Sequence, residues 1–243
     1  MNVTPVLFGY PEMKNRYRNK SSFKSFLYQN QKSGKILKVR NGLYSLTDPS
    51  TGFSMANKFQ IACKINQSAF LGYHAALEYY GLTEQSFASV MNVCSLSRFS
   101  CFEFQGIQYE CFLETSLNGV IDRIQEEGIR VTSIEKTLVD CIKEVEKAGG
   151  IEEVENAFKL SKGIDEKKLL SFLKEYDSDF LYLKAGYAFS HWYSKKMTSA
   201  FYKECQKHKK KKIYYFGIKK GDFSKEWNLI VPKEREEKVN EIY

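Results

Sequence analysis

The sequence predicts an α+β protein in two folding units, a small basic one at the N-terminus and a larger mixed α/β one with antiparallel strands behind it. Three observations predict this. An Asn-Gly turn at Asn41 and Gly42 joins two short apolar runs, KILKVR and LYSL, directly after an amphipathic stretch of helical spacing. From residue 53 onward, helix-period segments are interleaved with short alternating runs. Charge divides the same way: nine Lys and Arg face two acidic residues over residues 1 to 50, eight face fifteen over 51 to 155, and twenty face twelve over 156 to 243. Basic ends around an acidic middle point to separate tasks for separate segments. The expected domains are therefore 1–52 and 53–243.

The first unit reads as a short helix, a turn, a longer helix and a two-stranded hairpin. Pro11 to Tyr17 is a helical piece and Arg18 to Lys20 a turn. Ser21 or Ser22 is a good N-cap for SFKSFLYQNQKSG, because a hydroxyl can accept from a free backbone N–H of the first turn. Phe23, Phe26, Leu27 and Asn30 form its inward stripe, and Gly34 ends it. The opposite face then shows Ser21, Ser22, Lys24, Ser25, Tyr28 and Gln29, with no carboxylate among them. Such donors and acceptors contact phosphates and base edges. With the basic hairpin that follows, the order is that of a winged helix-turn-helix, its second helix set for the major groove and the tip at Arg40 and Asn41 for the DNA backbone or minor groove. A winged helix normally has one more helix ahead of these elements, and only about ten residues precede Pro11. The segment Ser54 to Ile65, with a stripe at Met55, Phe59, Ala62 and Ile65, is the candidate to pack in its place.

In the second unit, HAALEYYG is a short helix stopped by Gly81, with His74 a satisfied, partly buried side chain. Ser89 to Cys94 is a strand, and FEFQGIQY a hairpin turning at Gln105 and Gly106, with Phe102, Phe104, Ile107, Tyr109 and Cys111 on one face and Cys101 on the other. Thr132 to Glu135 has capping-box spacing ahead of a helix that buries Ile134, Leu138, Cys141, Ile142 and Val145. Amphipathic helices follow over Ile151 to Leu160 and Asp165 to Tyr176, and a hairpin pairs Ile213–Ile218 with Trp227–Val231.

Several chemistries find no support in the sequence. None of the six cysteines lies in a CxxC pair and there are three histidines, so no metal site or other cofactor is expected and the thiols read as reduced and mostly buried. Asp140, Glu144, Glu146 and Lys147 resemble a nuclease-like cluster in composition only, since Glu144 and Glu146 are two apart and point to different helix faces. Ser190 and His191 are merely adjacent, and no phosphate loop or activated nucleophile appears, so no enzymatic activity is expected. The absence of an apolar run of roughly 20 residues, and of a basic lead before such a run, predicts a cytoplasmic protein without a membrane partner.

Between Lys203 and Lys220 the chain carries eight lysines and one glutamate, with Tyr214, Tyr215 and Phe216 close by. Lys207, Lys209, Lys210, Lys211, Lys212, Lys219 and Lys220 are a possible second basic surface. A solvated face, a nucleic-acid surface and a dock for an acidic protein all fit that composition.

Three segments, KILKVRNGLYSL (residues 35–46), AFLGYHAALEYYGLTEQ (69–85) and RVTSIEKTLVDCI followed by GGIEEVENAF (130–158), together resemble the AbiEi family of antitoxins from type IV toxin–antitoxin and phage-defence systems. The similarity covers about residues 20 to 190, and the order and spacing of the motifs are more specific than any one of them. The resemblance implies a winged helix that represses its own operon by binding double-stranded promoter DNA, and a C-terminal domain that counteracts a nucleotidyltransferase-like toxin of the AbiEii type. Carried over by position, the DNA-contacting residues are Lys20, Ser21, Ser22, Lys24, Ser25, Tyr28 and Gln29 on the helix and Lys38, Arg40 and Asn41 on the wing. Two further readings stay open, a stand-alone winged-helix regulator without a toxin partner and an interaction protein that has lost DNA affinity.

Overall fold

The computed structural model describes residues 4–17, 19–83, 89–123, 128–218 and 220–233. The chain is a mixed α+β protein and packs as two units, one built from Met1–Tyr79 and Ser86–Ser133, the other from Tyr80–Gln85 and Ile134–Tyr243.

The first unit opens with strand β1 (Leu7–Phe8), helix α1 (Tyr10–Met13) and helix α2 (Lys20–Lys32), then strands β2 (Ile36–Arg40) and β3 (Leu43–Leu46). The three strands form one antiparallel sheet in the order β1-β3-β2. Phe23 and Leu27, one helical turn apart on α2, enter a core with Phe8, Met13 and Ile36, while Phe26 and Tyr44 cover its edge. Each such fully buried Phe or Leu contributes roughly 1.5–3 kcal/mol. Asn30 lies beside this stripe, its side-chain amide donating to the Phe26 carbonyl at 2.8 Å. The inward stripe read from the sequence is therefore the observed one. Two boundaries differ. α1 stops at Met13, where Arg16 N–H closes a turn onto the Met13 carbonyl (2.9 Å), and α2 starts at Lys20, capped by Asn19 instead of Ser21 or Ser22. An amide oxygen at the N-cap satisfies the Ser22 N–H (2.9 Å), so neither serine has to.

The same unit continues with α3 (Lys58–Lys64), α4 (Tyr73–Tyr79), β4 (Val90–Ser95), β5 (Phe102–Phe104), β6 (Ile107–Leu113), β7 (Val120–Arg123) and β8 (Ile129–Thr132). α3 packs beside β1, and Lys64 at its end pairs with Glu12 of α1 at 2.7 Å. It packs on β4 and β8 as well, with Ile61, Ala62 and Cys63 as its buried residues, while Met55, ahead of it, is exposed. The β5–β6 hairpin turns at Gln105 and Gly106, both with positive φ, and pairs Phe102 with Tyr109 and Phe104 with Ile107 as the alternation requires. β4 runs parallel to β6, where antiparallel pairing was expected.

Packing does not divide the chain after residue 52. The Ser54 N–H donates to the Gln105 side chain at 3.2 Å, and the Arg40 guanidinium lies 5.0 Å from the Phe102 ring centroid, so the β2–β3 hairpin and the following loop are tied to the β5–β6 hairpin. An expected boundary at 52 becomes an observed one between Ser133 and Ile134.

The second unit holds α5 (Ile134–Lys143), a 3-10 turn (Val145–Ala148), α6 (Ile151–Leu160), α7 (Glu166–Tyr176), α8 (Asp179–His191) and α9 (Ser199–Lys207), then strands β9 (Tyr214–Tyr215), β10 (Asp222–Ser224) and β11 (Leu229–Val231). α8 is its centre, with every residue from Leu181 to Phe189 buried. Lys184 on that helix donates to the Ile142 carbonyl (2.7 Å) in the last turn of α5, a position where a helix leaves carbonyls unpaired. Glu135 accepts from the Asp165 N–H (3.2 Å) at the entry to α7, so its carboxylate serves a neighbouring helix. The expected hairpin between 213–218 and 227–231 does not form. β9 pairs parallel to β11, and the segment thought to connect them contributes β10, which pairs antiparallel to β11 through a turn closed by Asn228 at φ 53°.

Candidate nucleic-acid interface

α2 presents one polar face. Lys20, Ser21, Ser22, Lys24, Ser25, Tyr28 and Gln29 are all exposed, and Gln31 and Lys32 extend the face by a further turn that sequence reasoning left out. The period of 3.6 alone would have placed both there. Tyr28 is 68% exposed, a large ring standing in solvent. The first turn has no acidic residue, so the positive end of the helix dipole is uncompensated, and Lys20 adds charge there while lying 5.8 Å over the Tyr10 ring.

The hydroxyls of that face differ in what they can offer. Ser22 Oγ donates to the Asn19 carbonyl at 2.9 Å and is thereby committed to the cap. Ser25 Oγ donates to the Ser21 carbonyl at 3.2 Å, which leaves its lone pairs outward. Lys24, Tyr28 and Gln29 reach furthest from the helix axis, and Gln29 carries both a donor and an acceptor for bidentate bonding.

The hairpin behaves unevenly. Lys38 and Asn41 are exposed, Gly42 turns the chain at φ 84°, and the ladder shifts register between Lys38 and Arg40. Arg40 lies against the protein itself: its guanidinium sits over Phe102 and Phe99 (5.0 and 5.7 Å), and Nη1 is buried without a hydrogen-bond partner among the described residues. Cation–ring contact stabilises this placement. The structure therefore keeps Lys38 and Asn41 at an accessible tip and makes Arg40 an anchor for that tip.

The lysine-rich segment is partly spent on local structure. Lys207 pairs with Glu204 (2.5 Å), Lys209 donates to the Lys225 and Glu226 carbonyls (2.6 and 3.2 Å), and Lys210 pairs with Asp179. Lys210, and then His208 at 2.8 Å, hold the Asp179 carboxyl below the usual aspartate range. Lys211, Lys212 and Lys220 are exposed, and Lys219 lies outside the described residues.

Ser190 Oγ does meet His191 Nδ1 at 2.7 Å, but both atoms also lie about 3 Å from the Tyr187 carbonyl, at 2.9 and 3.0 Å. They close the end of α8 together. All six cysteines are free thiols, and burial pushes the Cys63 thiol up to about 11 and the Cys205 thiol to about 12, far from thiolate chemistry. Among the described residues no group of His, Cys, Asp and Glu could hold a metal ion, and no helix is long and apolar enough to cross a membrane.

No protein-family model matches the chain, and no curated protein does. Its fold is similar to the crystal structure of the RV2827C protein from Mycobacterium tuberculosis, with a TM-score of 0.63 over 93% of this chain and 86% of that one. At 12% identity the likeness concerns fold alone.

Proposed function

We propose that this protein is a DNA-binding antitoxin of a type IV toxin–antitoxin system. In this reading α1, α2 and the β2–β3 hairpin are a winged helix-turn-helix that represses the chain's own operon, and the remainder counteracts a nucleotidyltransferase-like toxin. The observation that carries the DNA-binding part is the exposed face of α2: hydroxyls, amides, a phenol and lysines, without one carboxylate, beside an accessible hairpin tip. Duplex DNA rewards that combination, since lysines release counterions from phosphates while amides and hydroxyls bond base edges. In this reading β1 and α3 pack against these elements and close their core.

The antitoxin part rests on the three segments that resemble AbiEi proteins. Two experiments test the whole reading. The protein should shift the DNA upstream of its own reading frame more tightly than a scrambled duplex. Its co-expression with the adjacent frame should relieve growth arrest by that frame's product. Operator binding without protection would leave a stand-alone regulator, and protection without operator binding would leave an interaction protein.

A further inference from the structure

The sheet β10-β11-β9 exposes a row of rings that the proposed DNA interface does not use. Its register sets Phe223, Ile230 and Tyr215 side by side across the three strands. Alternation separates this row from the next, Ser224, Leu229 and Tyr214, in which Leu229 is fully buried. The buried side is held by Trp227 and Phe216, both fully enclosed, the latter 5.6 Å from Tyr187 of α8. On the open side Phe223 is 51% exposed and Tyr215 57%, and Ile213 shares the face of Tyr215 by the two-residue period. A contiguous apolar row on a surface this rich in charge marks an interaction site.

The surrounding charge decides the kind of partner. From Lys207 to Lys233 the chain has nine lysines against Asp222 and Glu226. Lys211, Lys212, Lys220 and Lys225 are exposed in the segments that flank the three strands, and Lys212 Nζ lies 5.1 Å from the Tyr214 ring. Flat rings on a sheet with lysines at its margins suit a single strand of nucleic acid, whose bases stack on the rings while its phosphates follow the lysines. Tyr215 and Phe223 stand two strand spacings apart, about 10 Å, with Ile230 between them, so three successive nucleotides cover the row.

Asp222 and Ser224 belong to the other side of this sheet: alternation turns them away from Phe223, toward the side of Leu229 and Val231, where with Tyr187 and His191 they border a cleft of about 270 Å³. They take no part in the ring row. We propose that the β10-β11-β9 face binds a single strand of nucleic acid, with bases on Phe223 and Tyr215 and backbone along Lys211, Lys212, Lys220 and Lys225.

The test is fluorescence anisotropy of the full chain with labelled single-stranded oligouridylate, with single-stranded oligodeoxyuridylate and with a duplex of equal length. The expected result is single-strand binding weakened about tenfold by Tyr215→Ala and by Phe223→Ala, with duplex binding unchanged in both. Leu160→Ser, which removes an exposed apolar side chain on α6, should leave single-strand binding unchanged. Phe223→Leu keeps apolar volume and should still lose affinity, which separates stacking from folding, with circular dichroism confirming the fold of each variant. Equal loss on the single strands and the duplex, or unchanged single-strand affinity in both ring variants, would overturn the proposal. So would loss of toxin binding in the ring variants of a protein that binds no single strand, because the face would then belong to a protein partner.

Discussion

Gly186→Ala in α8 should destabilise the second unit. A Cβ built on Gly186 would stand 2.1, 2.5 and 2.6 Å from Cζ3, Cη2 and Cε3 of Trp227. Carbon atoms in contact prefer about 3.5–4.0 Å, so the indole would have to retreat by more than an ångström. It has nowhere to go, because Trp227 is fully buried and Gly186 lies in the buried stretch of its helix. Overpacking of this kind costs about 1–3 kcal/mol, and alanine in a helix interior recovers roughly 1 kcal/mol relative to glycine. The net expectation is a loss of about 0–2 kcal/mol, toward its upper end because the enclosed indole cannot retreat, read as a lower urea midpoint at unchanged slope. Trp227→Leu in the Gly186→Ala background should cost less than Trp227→Leu alone, since the two changes share one contact. A Gly186→Ala protein as stable as wild type would refute the close approach.

Three further outcomes follow from the described contacts. Burial lowers the Lys184 amine from 10.5 to about 8, so between those values the unfolded chain holds a proton that the folded one has released, and stability should rise with pH across that window by up to about 3 kcal/mol relative to Lys184→Met. Parallel urea midpoints for the two proteins from pH 7.5 to 10 would contradict it. Lys38→Ala should reduce the slope of log affinity against log salt on duplex DNA by about one, as the loss of one phosphate contact does, and an unchanged slope would remove Lys38 from the interface. Arg40→Ala should instead lower the thermal midpoint by unpinning the hairpin from Phe102, while leaving that slope alone; the reverse pattern would return Arg40 to the DNA.

What could be read from the sequence follows physical lines. α6 matches its expected bounds, and α7 begins one residue late because Asp165 is its cap, accepting from Lys167 and Lys168 N–H groups at 2.9 and 3.2 Å. Both are amphipathic, and one-sided burial leaves a period. α8 escaped notice for the opposite reason: a helix buried on every side has no polar face to set the period. β10 was hidden because three residues within GDFSKE carry too few alternations to register. The polar face of α2 was legible, since exposure follows from which residues are left after the apolar stripe is taken out. The fate of Arg40 was not, because its partners Phe99 and Phe102 lie about sixty positions away and only tertiary packing brings them together. The unit boundary was misplaced for the same reason, through contacts such as Ser54 to Gln105.

The central claim is that the exposed face of α2 reads duplex DNA. The most direct test titrates wild type, Lys24→Ala, Ser25→Ala and Gln29→Ala, side by side at fixed salt, on the duplex upstream of the reading frame and on a scrambled one. Ser25→Ala and Gln29→Ala should lose roughly 1–3 kcal/mol on the upstream duplex and much less on the scrambled one, while Lys24→Ala loses affinity on both. If the folded variants bind both duplexes as wild type does, or lose affinity equally on both, α2 is not the reading element.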